Sequence, residues 1–306
     1  MRVSLVVVNY GTIEAARSLA DSARSALDEV IVVDNASFSA DRPSVEAAHP
    51  GIRFVWRDTN DGYGAGANAG ARLASGDVLI VSNADVEVDG AGLRRLAEAA
   101  AGGVAAPRFV DGEGRLVRSS HRREPVWLST AREYCGPVAA AAARLRPGWH
   151  PTLRPEADHY ADHDTGHVLG AVMAVDADLF RRLGGFDEGF FLYREETDLC
   201  RRAREAGAPV RHVADVVVTH RGDASPGDHR ALVAARPAAV RSHYRYIAKH
   251  FGPVRAVLAW LIGAAGSLVW VATGPDRRSA RSSLSSHLRL LDPRGGRAVR
   301  PRSRPA

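Results

Sequence analysis

Four groups of residues in the 306-residue chain have types and spacings suited to chemistry. Asp85 closes an apolar run, Val78 to Val81, through Ser82-Asn83-Ala84-Asp85. A carboxylate at such a strand end can hold Mg2+ or Mn2+ while phosphate oxygens and water complete the shell. It can equally serve as a helix cap or a turn residue. Asp34 and Asn35 follow a second run, Val30 to Val33. They offer an acceptor and an amide to a ribose hydroxyl or a base edge, or they close an Asx-turn. Glu195, Glu196 and Asp198 form an acidic group beside the aromatic run Phe190, Phe191 and Tyr193. On a helix Glu195 and Asp198 share a face, and a carboxylate near apolar walls can have its pKa raised and act as a base. Acids in a first helical turn are also favoured without any function. His220 ends a further apolar run, where its imidazole can ligate a metal or donate to a diphosphate.

Elements that would position these residues are legible around them. Val3 to Val8 is a β-branched run ending at Asn9-Tyr10-Gly11, followed by helical spacing over Thr12 to Ala26. A strand is expected at Ile52 to Trp56, and then Asn60-Asp61-Gly62-Tyr63-Gly64-Ala65-Gly66-Ala67-Asn68-Ala69-Gly70. Those glycines permit close approach of backbone to a ligand or a neighbouring helix, and Ala65 to Ala74 is expected as a helix whose N-terminus meets phosphate. Further helices are expected at Gly92 to Ala101, Asp178 to Leu183 and Glu195 to Ala206, and strands at Val168 to Val175 and Val213 to Thr219. Near-continuous apolar strands separated by helices imply a mainly parallel sheet covered on both faces, with ligands beyond the carboxyl ends of the strands. Residues 111–165, with His121, Arg122 and Arg123, an alanine-rich helix near Val138 to Leu145, and Pro147-Gly148, read as a variable insertion on the acceptor side.

The last part differs. Ala256 to Ala272 is a stretch of 17 residues without a charge, borderline for spanning a bilayer, and suited to lying in a membrane, packing on the core or forming a dimer interface. Net charge is +6, but residues 274–306 carry nine arginines against two aspartates, which leaves −1 for residues 1–273. The basicity is therefore local; it suits anionic headgroups and argues against nucleic acid as a partner of the whole chain. Residues 301–306 are expected to be disordered. Cys135 and Cys200 make no CxxC pair, so a thiolate zinc site or disulfide framework is not expected. A reducing cytoplasm fits, and the opening MRVSLVVVNYGT is not expected to be a signal peptide. No GxSxG elbow, no Walker loop and no GxGxxG after the first strand is present.

Taken in order, Val7-Val8-Asn9-Tyr10, Val32-Val33-Asp34-Asn35-Ala36-Ser37, the run from Asn60 to Gly70, Asn83-Ala84-Asp85, Gly184-Gly185-Phe186-Asp187-Glu188, Phe190-Phe191-Leu192-Tyr193, Glu195-Glu196-Thr197-Asp198-Leu199 and His220 resemble the inverting family 2 glycosyltransferases of the GT-A fold. The likeness is greatest to bacterial rhamnosyltransferases, including the polyprenyl-diphosphate-N-acetylglucosamine rhamnosyltransferases. It implies an α/β GT-A catalytic domain over residues 1–225, with a donor part to about residue 110 and an acceptor part from 166. A helical extension over 226–273 and a basic, partly disordered tail over 274–306 would follow.

The resemblance implies an L-rhamnose donor, dTDP-rhamnose before a UDP- or GDP-sugar, held with Mg2+ or Mn2+ on Asp85 and His220. Asn9, Asp34, Asn35, Asn60, Gly62, Gly64, Gly66, Asn68, Asn83 and Arg221 would contact the donor nucleotide. Asp187, Glu188, Phe190, Phe191 and Tyr193 would meet a glycan or polyprenyl-diphosphate sugar acceptor. Catalysis falls to Glu196, then Glu195, with Asp198; Glu196 stands where the family usually has aspartate, one methylene longer. A place at the inner face of the plasma membrane, with a homodimer left open, completes the expectation. A nucleotidyltransferase or other sugar-nucleotide enzyme, and an inactive carbohydrate-binding or scaffold protein, are the competing readings.

Overall fold

The computed structural model describes residues 1–38, 41–123, 130, 144–145, 152–221, 229–273 and 277–290. Strands β1 (Val3–Asn9), β2 (Glu29–Asp34), β3 (Ile52–Trp56) and β4 (Val78–Asn83) are parallel neighbours in the order β3-β2-β1-β4. Helices α1 (Ile13–Ala23), α2 (Arg42–Ala48) and α3 (Tyr63–Ala71) join them. Beyond β4 come β5 (Val86–Glu87), α4 (Gly90–Ala99) and β6 (Val104–Val110), then the short β7 (His121–Arg122), β8 (His163–Asp164) and β9 (His167–Val168). Strand β10 (Val172–Asp176), helices α5 (Ala177–Arg182) and α6 (Glu195–Glu205), and β11 (Val210–His220) complete the core. The sheet continues β4-β10-β6-β11-β5, with β8 also on β11 and β10 running antiparallel to both of its neighbours.

Alternation explains why both faces of this sheet are covered. Val3, Leu5 and Val7 of β1, with Val30, Val32 and Ile80, face one core under α1 and α4; Val6, Val8, Ile31, Val33 and Val81 face a second under α3, α5 and α6. Helix α3 can lie close because Gly70 has no side chain. A Cβ there would stand 2.4 Å from Val6 Cγ1 and 2.9 Å from Val33 Cγ2. Gly70→Ala should therefore lower stability by about 1–3 kcal/mol in urea denaturation, the cost of overpacking a tight contact.

Register brings the strand ends level. Asn9 is opposite Asp34 across β1–β2, and Val8 is opposite Asn83 across β1–β4. Val172 of the antiparallel β10 pairs with Ser82, so Gly170 and Ala171 enter the sheet at that same rim. Strand β11 shifts register between Val213 and Val217 and ends with His220 beside Val86, one residue past Asp85.

The C-terminal region forms α7 (His229–Phe251), α8 (Pro253–Thr273) and α9 (Arg277–Arg289). The tail expected over 274–306 thus contains a helix. Ala280, Ser283, Ser286 and His287 of α9 are buried, and Ser283 meets Ser267 of α8 with hydroxyl oxygens 2.9 Å apart. Small residues of α8 make room: a Cβ on Gly263 would meet Tyr244 Oη at 2.3 Å. Serine spacing hides this helix from a reading that looks for apolar periodicity. Residues 301–306, Pro147-Gly148 and most of the alanine-rich stretch 138–145 lie outside the described residues. Strand β6 escaped the sequence analysis, since Ala105, Ala106 and Pro107 dilute its β-branched signal.

Candidate active site

At the rim where β4 and β11 end, Asp85 and His220 come together. Asp85 Oδ2 lies 3.4 Å from His220 Nε2, both side chains are partly open to solvent, and Asn83 Nδ2 is also 3.4 Å from that nitrogen. Burial acts to raise the Asp85 carboxyl, but the hydrogen bond and charge of His220 outweigh it and hold the group below its ordinary 3.8. An ionised carboxylate beside an imidazole is an oxygen–nitrogen donor pair that fits a divalent cation. Arg221 is turned away from this corner onto Glu87, while its N–H donates to the Asp85 carbonyl at 3.1 Å.

Glu195 and Glu196 begin α6, which meets the β4 end through the Gly170–Ala171 segment. Tyr63 shows how the two sides meet: its hydroxyl donates to the Gly170 carbonyl at 3.0 Å. Burial, then the charges of Glu195, Glu196 and Asp85, push that phenol well above 10.0, so all three carboxylates act on one buried hydroxyl. The backbone joins the two sides as well, for Asn83 N–H donates to the Ala171 carbonyl at 2.8 Å and a Cβ on Gly170 would stand 3.1 Å from Glu196 Cβ. Tyr63 lies inside the glycine-rich motif that the sequence singled out, but nothing in its type marked it as a site residue.

The two glutamates differ. Glu195 is buried, with 4% of its surface exposed, and its Oε2 has no hydrogen-bond partner. Burial, then the neighbouring Glu196 charge, raises it well above 4.5. Glu196 is half-buried and accepts a hydrogen bond from Thr197 Oγ1 at 3.2 Å; burial raises it too, while Arg194 and Arg122 pull it back. Tyr193 and Arg194, immediately before the helix, hold φ of +67° and +74°. Two consecutive left-handed non-glycine residues cost about 1–3 kcal/mol each, and such strain concentrates at functional turns.

Several residues expected to touch ligands have partners within the protein. Asp34 is buried, accepting from Asn9 Nδ2 at 2.6 Å, Ser37 N–H at 2.8 Å and Phe38 N–H at 3.0 Å, which is the Asx-turn alternative. Asn35 accepts from Arg57 Nη1 at 2.7 Å and donates to the Gly62 carbonyl at 3.1 Å, and Asn60 accepts from Gly62 N–H. The Cβ sides of Gly62, Gly64 and Gly66 face Phe191, Phe186 and Asn35, so their close approach is to protein. The α3 N-terminus is likewise closed over, because Tyr63 N–H donates to the Phe191 carbonyl at 3.0 Å. Asn68 ties α3 to the Phe186 backbone and to Glu188.

Asp187 is held by Arg245 and Lys249 of α7, each at 2.8 Å, and Phe190 is fully buried beneath the same two cations. Of the aromatic group, Tyr193 is the exposed member, and the charges of Glu195 and Glu196 add to burial in raising its hydroxyl.

Asp198 is a clamp rather than a base. It is fully buried, with Arg202 Nε, Lys249 Nζ and His250 Nε2 all at 2.7 Å; burial acts to raise its carboxyl, but the hydrogen bonds from His250 and Lys249 and the charge of Arg202 hold it at about 2. Its folded pKa is depressed, so its stabilisation is complete above 3.8 and is lost as pH falls from 3.8 through about 2. Asp198→Asn should cost about 3–5 kcal/mol at neutral pH, and should flatten the acid limb of a stability–pH curve over that window.

A separate group of histidines lies on the same side of the sheet as α6. His121, His159 and His212 are fully buried, and burial holds His121 at about 2 and the other two at about 4, so the rings are neutral. The sequence marked His121 as part of an Arg/His cluster, but the other members are scattered over 91 positions and no spacing links them.

The family profile described as Glycosyl transferase family 2 matches residues 4–184, more than half of the chain. The chain belongs to that family. It is a GT-A-type glycosyltransferase that depends on a nucleotide sugar, and its sheet, largely parallel and flanked by helices, is the core of that fold. Among curated relatives, the N-acetylglucosaminyl-diphospho-decaprenol L-rhamnosyltransferase of Mycobacterium tuberculosis strain H37Rv is 28% identical over 282 residues, covering 87% of this glycosyltransferase and 89% of the relative. The low-salt glycan biosynthesis hexosyltransferase Agl10 of Haloferax volcanii is 29% identical, with 66% and 61% covered. Among solved structures, the mannosyltransferase PcManGT of Pyrobaculum calidifontis, in complex with GDP-Man and Mn2+, superposes with a TM-score of 0.55 at 18% identity, covering 96% of this glycosyltransferase and 81% of that chain.

Proposed function

We propose that this glycosyltransferase transfers L-rhamnose, with inversion, from a nucleoside-diphosphate donor to a hydroxyl of a polyprenyl-diphosphate-linked sugar. The observation that carries this reading is that the Asn83–Asp85 strand end and the Glu196 helix start both meet the Gly170–Ala171 segment, to which Tyr63 donates. Asp85 and His220 would hold Mg2+ or Mn2+ and Glu196 would stand across the opening as base. A cation bound there would offset negative charge on the departing diphosphate. Glu196 accepts the acceptor's hydroxyl proton as that oxygen attacks the anomeric carbon, and the nucleoside diphosphate leaves from the opposite face. Glu195 and Tyr63 lie beside Glu196, and burial raises both groups above their ordinary values. With a single displacement and no covalent intermediate, configuration inverts.

The activity of the Mycobacterium relative supports rhamnose and a prenyl-linked acceptor. The donor in this reading is dTDP-rhamnose ahead of UDP- or GDP-sugars. A groove of about 830 Å³ also supports the acceptor class: Arg245 and Lys249, paired with Asp187, line it opposite Ala256, Val257, Trp260 and Leu290. Cations beside an apolar wall suit a diphosphate joined to a prenyl chain. Helix α8 is long and apolar enough by composition to cross a membrane, with mean hydropathy 1.9, and Val254, Val257, Leu258, Leu261 and Leu268 are exposed along it. Such a face supports attachment to the cytoplasmic side of an anionic membrane. Leu258→Asp with Leu261→Asp should abolish flotation with anionic vesicles while leaving the melting temperature unchanged.

The function is tested by a panel of nucleotide sugars with Mn2+ and a prenyl-diphosphate-GlcNAc acceptor. Release of dTDP from dTDP-rhamnose, with a rhamnosylated lipid product, is expected. Pyrophosphate release from a nucleoside triphosphate would point to a nucleotidyltransferase instead.

A further inference from the structure

Apart from the Asp85–His220 corner, we infer a second, structural metal site of the zinc class, built from His121, His159 and His212 with His163 as fourth ligand. The three fully buried rings each offer a nitrogen within 4.8 Å of the others. Ring centroids of His163 lie 4.7 Å from His121 and 5.3 Å from His212. Their nitrogens are what a metal would satisfy. Both nitrogens of His121 and of His159, Nδ1 of His212 and Nε2 of His163 are buried without any hydrogen-bond partner. Buried polar atoms are ordinarily paired, and so many orphans converging at one point call for a shared partner.

Tautomers fit that partner. His212 Nε2 faces the His159 carbonyl at 3.1 Å, and His163 Nδ1 faces the Ala161 carbonyl at 2.9 Å. Each therefore donates one N–H to backbone and turns the other nitrogen's lone pair inward, the arrangement by which metal-bound histidines are oriented. Tetrahedral zinc with nitrogens at about 2.0–2.1 Å needs the rings to close to about 3.3 Å between ligand atoms, which asks for side-chain rotation only. A nitrogen-only set selects zinc or a similar borderline cation over Mg2+ and Mn2+, which prefer oxygen. Arg108, Arg118 and Arg154 act on the cluster with positive charge and Asp158 and Asp162 with negative, and Arg154 is itself paired with Asp158 at 3.4 Å.

The ligands come from four elements: His121 from β7, His159 from the 3-10 turn over Glu156–Tyr160, His163 from β8 and His212 from β11. A shared cation cross-links the inserted segment to the sheet. Strand β7 pairs with β9, and Arg122 acts on Glu196, so the same link stiffens one wall of the active site.

The test uses full-length protein stripped with chelator, exposed to zinc alone and desalted, with metal measured by mass spectrometry. About one zinc per chain should remain in the wild type and in Asp85→Asn, and zinc affinity should fall more than about 10-fold in His121→Gln/His212→Gln. At roughly 100-fold excess over Kd, zinc should raise the wild-type melting temperature by about 5 °C or more. If the double variant does not fold, cobalt added to the stripped wild type decides the matter, since tetrahedral nitrogen ligation gives intense visible absorption. Absent retained zinc, equal retention in the double variant, or cobalt remaining octahedral would each overturn the site.

Discussion

Replacing Asp85 with asparagine should lower kcat/KM for sugar transfer by about 10³-fold or more and remove the dependence on added Mn2+. The expected size follows from what the carboxylate does. In the proposed site it would be the anionic member of the donor pair with His220, which lies 3.4 Å away and helps hold its carboxyl below its ordinary value. An amide keeps the shape and loses the charge, so affinity for the cation and stabilisation of the leaving diphosphate fall together. The fold should survive, because Asp85 is partly exposed and its carbonyl, not its side chain, accepts the Arg221 N–H. Steady-state kinetics across a Mn2+ titration, with circular dichroism as a check on folding, measures this. Unchanged kcat with metal still required would remove Asp85 from the site.

Glu196→Gln should lower kcat by about 10²–10⁴-fold while donor affinity stays within a few fold, the pattern for a general base. Glu195→Gln should keep most of the activity. Glu195 is buried with an orphan oxygen, and burial raises its carboxyl well above 4.5, so an uncharged amide of the same shape suits its surroundings. In the wild type, kcat/KM should rise with pH through an inflection above 4.5, since the base works only when ionised and burial raises its pKa. Stability should run the other way. Raised folded values favour the protonated forms, so their stabilisation is present below 4.5 and is lost as pH climbs through the folded values. Glu195→Gln should therefore raise the melting temperature at neutral pH. Transfer assays paired with nucleotide-binding measurements separate the two glutamates.

Much of this architecture was legible in the residues. Val3 to Val8, Val30 to Val33 and Ile52 to Trp56 are β-branched runs with breaks where the strands end, and the structure extends the first two by a residue or more at the polar end. Those extensions are the hydrogen-bonded pairs Asn9–Asp34 and their neighbours, whose polarity disguised them as loop. The glycine-rich motif was legible as a place of close approach. What approaches is a matter of tertiary contact, and Gly70 against Val6 or Gly62 against Phe191 is invisible in a one-dimensional pattern.

The acidic motif posed the same difficulty. Glu195, Glu196 and Asp198 are alike in sequence, yet the partners that separate them come from far away: Tyr63 for the glutamates, and Lys249 and His250 for the aspartate. Helix α7, which supplies those partners, lies outside the stretch of motifs. Asp187, expected at the acceptor, is paired with Arg245 and Lys249, partners that no motif announced. The histidine cluster shows the limit most clearly, since its four residues share a point in space and no spacing in the chain.

One structure decides whether a cation held by Asp85 and a base at Glu196 belong to a single reaction centre: crystals grown with dTDP and Mn2+, read by manganese anomalous scattering. A peak bonded to Asp85 and to the diphosphate, with Glu196 facing the vacated sugar position, is the expected result. Manganese and nucleotide bound elsewhere, with Asp85 and Glu196 untouched by either, would contradict it.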